Sequence, residues 1–127
     1  MGVIVVSTEK AWKEQLQRAK SAKTPTLVEF FCHSWGSASS DAVPVVAELA
    51  SKYADATFLK VNLDVDVLMA VAEEWAVTAT PSFFFLKEGN IVAKVAGSEA
   101  TKLREAADKH LLVPGISRRY NVIRSHN

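Results

Sequence analysis

The chain has 127 residues, of which 49% are hydrophobic and 23% charged, with fifteen Lys/Arg against fourteen Asp/Glu and a formal charge of +1. That balance suits one globular domain and excludes disordered, collagen-like and low-complexity classes. It also gives no general attraction for nucleic acid or an anionic membrane. One cysteine cannot form an internal disulfide or a cysteine-based zinc site, and the longest apolar runs are far too short to span a bilayer.

The N-terminus, Met1-Gly2-Val3-Ile4-Val5-Val6, has no basic segment ahead of its short apolar run. A secretory signal is therefore not expected, and a cytoplasmic location is. Val3 to Val6 reads as a strand, and Ser7-Thr8 offers an N-cap for the next element. Trp12, Leu16 and Ala19 then mark one face of a helix over Glu9 to Lys20. Thr26 to Cys32 is nearly continuous in hydrophobicity, broken only by Glu29, as in a strand covered on both faces. Ser37 to Asp41 resembles a helix start, and the helix runs through Val43, Val46, Ala50 and Tyr53 with a kinking Pro44 inside it.

Thr57 to Leu63 is a further strand, and Asp64-Val65-Asp66 leads into a helix marked by Leu68, Val71, Ala72 and Trp75. Ser82–Leu86 and Ile91–Ala96 form a hairpin around Lys87-Glu88-Gly89-Asn90, and Gly97-Ser98 opens a last helix bearing Leu103, Ala107 and Leu111. The order predicts an α/β fold with a mixed sheet of about five strands flanked by about four helices. Residues 1–113 make the domain. Residues 114–127 are expected to be a flexible tail whose only charges are Arg118, Arg119 and Arg124.

This order, and the residues that decorate it, resembles thioredoxin, and within that superfamily the cytosolic plant-type (h) thioredoxins. The likeness is carried by Trp35, Pro44, Phe58-Leu59-Lys60-Val61, Ala72-Glu73-Glu74-Trp75, Thr80-Pro81, Phe85-Leu86-Lys87-Glu88-Gly89 and Val95-Ala96-Gly97. It implies a thioredoxin fold. It also implies a cis-proline at Thr80-Pro81 and a shallow peptide-binding groove formed by Trp35, Gly36, Thr80, Pro81, Ala96 and Gly97.

The chain departs from the family at the chemical centre. Trp35-Gly36-Ser37-Ala38-Ser39 stands where the family reads Trp-Cys-Gly-Pro-Cys, so Gly36 and Ser39 occupy the attacking and resolving positions. Thiol–disulfide exchange needs a thiolate and a second thiol, and neither residue has one. A gap-free count back from Trp35 places Phe30 where the family buries an acid. Either the strand carries one extra residue and Glu29 takes that role, or the acid is lost. The loop Asn62 to Leu68 is about two residues longer than in plant relatives.

The resemblance without its dithiol implies a redox-inactive protein that binds peptide or protein clients non-covalently, as an adaptor, regulator or holdase. No cofactor and no metal are expected, and the chain is expected to be a monomer or weak dimer. The competing reading is a protein disulfide oxidoreductase or isomerase in redox homeostasis, working through Cys32 or an intermolecular disulfide. A third is an active thioredoxin whose cysteines have been replaced. Cys32 itself reads as a buried strand-end residue. His33 and the serines around it read as helix caps rather than a hydrolase triad, which unites distant segments. His33, His110 and His126 lack metal-ligand spacing.

Overall fold

A computed structural model describes residues 2–36 and 38–112 of the chain. The basic stretch 114–127 lies outside the described residues.

The first strand, β1 (Ile4–Val6), leads directly into α1 (Glu9–Ser21). Of the two capping options it is Thr8 that works, its Oγ1 accepting the Ala11 amide at 3.0 Å. Trp12 and Ala19 bury one stripe of α1. Next comes β2 (Thr26–Phe31), in which all six residues are buried. That follows from its hydrophobic run, because a central strand with helices on both faces leaves no side for solvent.

The helix expected around Pro44 is broken into α2 (Ala38–Asp41) and α3 (Val43–Lys52). Proline offers no amide to the preceding turn, so the ladder stops there and restarts where Ala42 accepts from the Val46 amide at 2.9 Å. Then follow β3 (Thr57–Asn62), α4 (Asp66–Glu74), β4 (Ser82–Lys87), β5 (Asn90–Ala96) and α5 (Ala100–His110). The last helix begins after Glu99 rather than at Gly97-Ser98. The β4–β5 turn is tight, Lys87 pairing with Asn90 across Glu88 and Gly89, both at positive φ. Such a backbone matches the twist of the flanking strands, and Gly89 meets it without strain.

The five strands form one mixed sheet in the order β1-β3-β2-β4-β5. Strands β1, β3 and β2 run parallel, while β4 and β5 are antiparallel to their neighbours. Alternation along β2 sorts the core into two layers. Val28 and Phe30 point to the layer holding Trp12 and Ala19 of α1 and Leu68 and Ala72 of α4. Leu27 points to the opposite layer, with Val46 and Leu49 of α3 and Leu103 and Ala107 of α5. In the first layer Phe30 meets Trp75 and Phe84 edge-on, both with ring centroids at 5.5 Å.

Among the described residues this is the expected mixed sheet of five strands, flanked by four helical units if α2 and α3 are taken as one broken helix.

Candidate functional site

The strand directions bring four segments to one end of the sheet. Parallel β2 and β3 finish together, Phe31 opposite Asn62, so residues 32–36 and the loop after Asn62 emerge side by side. The antiparallel β4 begins at that same end, with Ser82 opposite Phe30, and β5 finishes there, with Ala96 opposite Ser82. The Thr80–Pro81 bond is cis, and the Pro81 carbonyl accepts from the Gly97 amide at 2.8 Å. Crevices at the carboxyl ends of parallel strands are where α/β sheets commonly bind ligands.

The first segment is short and irregular. Cys32 leaves β2 in extended geometry, and His33–Trp35 form a single 3-10 turn. Cys32 is buried, 1% exposed, and packs in the α1/α4 layer. Its Sγ lies 3.1 Å from Ser34 Oγ and donates to Asp64 Oδ1 at 3.3 Å. Trp35 is instead 51% exposed. Gly36 follows with φ +113° and ψ −169°, a conformation that L side chains rarely adopt, although nothing within 4 Å would obstruct a Cβ.

Ser39, at the second degenerate position, is 3% exposed, and its Oγ has no hydrogen-bond partner among the described residues. The two positions thus differ in kind. Gly36 lies at the surface with no side chain, and Ser39 has a buried hydroxyl.

Glu29 sits opposite Lys60 on β3, is 2% exposed, and leaves Oε2 without a partner among the described residues. Burial pushes its carboxyl up to about 7, with the Lys60 charge pulling the other way. Phe30, the gap-free candidate, faces the other layer within the aromatic cluster. The acid of β2 is therefore Glu29, buried on the face away from the aromatic cluster.

Asp64 escaped sequence reasoning, which treated it only as a lead into α4. Its carboxylate accepts the His33 amide at 3.0 Å, the Ser34 amide at 3.4 Å and the Ser34 hydroxyl at 2.8 Å, besides the Cys32 thiol. These donors, Ser34 Oγ foremost, hold its pKa down at about 2. Local pattern offers one hint. Asn62 Oδ1 accepts the Asp64 amide at 2.9 Å, an Asx-type turn legible as Asn-x-Asp. Its partners, thirty and more residues earlier, are legible only in the fold.

Of the residues predicted to form a groove, Thr80 is half-buried, Pro81 buried, Ala96 exposed and Gly97 half-buried. Hydrogen bonding and register bring Pro81, Ala96 and Gly97 together at the sheet end from which Trp35 and Gly36 project. Among the described residues no group of His, Cys, Asp and Glu could hold a metal ion.

Comparison with known proteins agrees with this architecture. The thioredoxin family model matches residues 3–109. A thioredoxin H-type of Ricinus communis is 45% identical over 109 residues, covering 86% of this chain and 90% of the relative. Thioredoxin H1 of Arabidopsis thaliana is 43% identical over 109 residues, covering 86% and 93%. The crystal structure of thioredoxin NaTrxh from Nicotiana alata superposes with a TM-score of 0.79 at 29% identity, covering 87% of this chain and 93% of that one. Fold, landmarks and sequence converge: the chain, with a single cysteine, belongs to the thioredoxin family.

Proposed function

We propose that this protein binds extended segments of other proteins non-covalently at the sheet end formed by Trp35, Gly36, Thr80, Pro81, Ala96 and Gly97, and performs no dithiol exchange. The observation that carries the reading is the state of the chain's single cysteine: Cys32 is 1% exposed and hydrogen-bonded to Asp64, while Gly36 and Ser39 hold no sulfur. Exchange requires an accessible thiolate and a resolving thiol. Family membership supports protein clients, since thioredoxins act on protein substrates. In this reading an extended client pairs with the Thr80 backbone at the sheet end, and the exposed Trp35 supplies apolar cover.

The role that follows is adaptor, regulator or holdase, with a monomer or weak dimer as the working unit and the 114–127 stretch outside it. Likeness to h-type thioredoxins supports a cytoplasmic setting, and among the described residues no helix is long and apolar enough to cross a membrane.

A small interface of this kind should bind in the micromolar range or weaker, about 8 kcal/mol or less. Titration with extended peptides, followed by amide NMR, should shift residues 35, 36, 80 and 97, and Trp35→Ala should weaken binding by about 1–2 kcal/mol. Shifts confined to Arg118–Arg124 would move the site to the basic stretch. Disulfide reductase turnover in wild type that vanishes in Cys32→Ser would replace binding with the oxidoreductase reading.

A further inference from the structure

The turn that carries Trp35 has little to hold it from within. A single 3-10 turn has poor internal hydrogen bonds, and its first amides find no acceptor inside the turn. Cys32, at its N-cap position, provides no side-chain cap. The missing acceptors come from the other side of the sheet end. Asp64 Oδ2 takes the His33 amide, and Oδ1 takes the Ser34 amide and hydroxyl. Asp64 is itself held by Asn62, and the Leu63 amide donates to the Phe31 carbonyl at 2.8 Å, so loop and turn stay in fixed register. From the opposite side the His33 ring packs edge-on against Phe31 at 5.3 Å, whose face is covered by Lys60 Nζ at 4.6 Å.

The amides of the turn need acceptors, and the loop after β3 supplies a carboxylate that reaches them.

We propose that Asp64 is a positioning residue for client binding, a latch that fixes the His33–Trp35 turn and thereby sets the place and orientation from which the Trp35 indole meets an extended peptide. This inference rests on the binding role proposed above and adds the residue that organises it. An ordered aromatic anchor binds better than a loose one because its rotational freedom is lost before the client arrives. Asp64 touches no client in this scheme. It acts through the turn.

The test uses the full chain with Asp64→Ala, Asp64→Asn and Ser34→Ala. Backbone and indole ¹⁵N relaxation reads the order of His33, Ser34 and Trp35 without any client, and titration with an extended peptide reads affinity. Asp64→Ala should loosen all three residues and weaken binding about threefold to tenfold, a typical coupling within one hydrogen-bonded network. Asp64→Asn, which keeps an acceptor oxygen, should restore part of both effects. Adding Asp64→Ala to Trp35→Ala should cost little further affinity, because the latch acts through that indole.

Unchanged order of Trp35 in Asp64→Ala overturns the inference, and so does a looser turn with full affinity or additive losses in the double variant. Ser34→Ala, which deletes only the hydroxyl contact, gives the same readouts should Asp64→Ala fail to fold. A wild-type protein that binds no peptide would instead overturn the proposed function, with the relaxation data still deciding whether Asp64 orders Trp35.

Discussion

Glu29 and Lys60 face each other across the β2–β3 ladder, and yet burial rather than the lysine sets the proton affinity of the acid. The carboxyl is 2% exposed and Oε2 has no partner among the described residues, so the charged form loses its hydration with little in exchange. In the folded chain the proton is held up to about pH 7, whereas an unfolded glutamate releases it near its ordinary value of 4.5. Between those values the native state binds more protons than the unfolded one, so stability falls as pH rises. The full penalty, on the order of 3 kcal/mol, is reached above pH 7.

Glu29→Gln should therefore flatten the pH profile of stability between about 4.5 and 7 and be more stable than wild type above it. Lys60→Met should extend the loss to higher pH by removing the opposing charge. Urea denaturation at a series of pH values checks both, and parallel profiles for wild type and Glu29→Gln would refute the assignment.

Cys32 should behave as a structural thiol. A thiol reagent should modify it slowly in the native protein and rapidly in denaturant, since the sulfur is 1% exposed. Cys32→Ser should keep a donor for Asp64, cost no more than about 1–2 kcal/mol, and leave insulin reduction at the rate set by dithiothreitol alone. Fast native labelling would contradict the burial.

Restoring the dithiol should meet backbone resistance at one position and not at the other. Gly36 lies at φ +113°, so Gly36→Ala and Gly36→Cys should each lose about 1–3 kcal/mol through strain, with no steric clash at the Cβ. Ser39→Ala removes a buried hydroxyl that lacks a partner among the described residues, and should be neutral or gain up to about 1 kcal/mol. The pair Gly36→Cys with Ser39→Cys should fold with reduced stability and recover at most partial reductase activity. Thermal melts and an insulin assay measure the two effects, and a Gly36→Ala variant as stable as wild type would show that the turn relaxes freely.

The aromatic residues should separate into core and surface roles. Phe30→Ala opens the cluster with Trp12, Trp75 and Phe84 and should cost about 3–5 kcal/mol. Trp35→Ala, at a residue 51% exposed, should stay within about 0.5 kcal/mol of wild type in the absence of client. Chemical denaturation of the two variants side by side distinguishes them, and comparable losses would place Trp35 in the core.

Much of the molecule was legible in the residues themselves. Spacing of Trp12, Leu16 and Ala19 marked α1, unbroken hydrophobicity marked β2 as central, Pro44 marked the break between α2 and α3, and Glu88-Gly89 marked the hairpin. The lack of an internal dithiol was also plain, because a dithiol needs two thiols and the sequence holds one cysteine. All of these depend on neighbours within a turn or two along the chain, and periodicity or composition reports them directly.

What the tertiary structure alone decided depends on register and on contacts across the sheet. That Glu29 is buried opposite Lys60 while Phe30 joins the other layer follows from register, since a shift of one residue sends a side chain to the opposite face. The conformation of Gly36 and the capture of His33 and Ser34 by Asp64 arise where two parallel strands end side by side. No local pattern encodes a hydrogen bond between residues thirty apart in sequence. It exists because the sheet brings their backbones together, and unpaired amides at a strand end must find an acceptor wherever the fold supplies one.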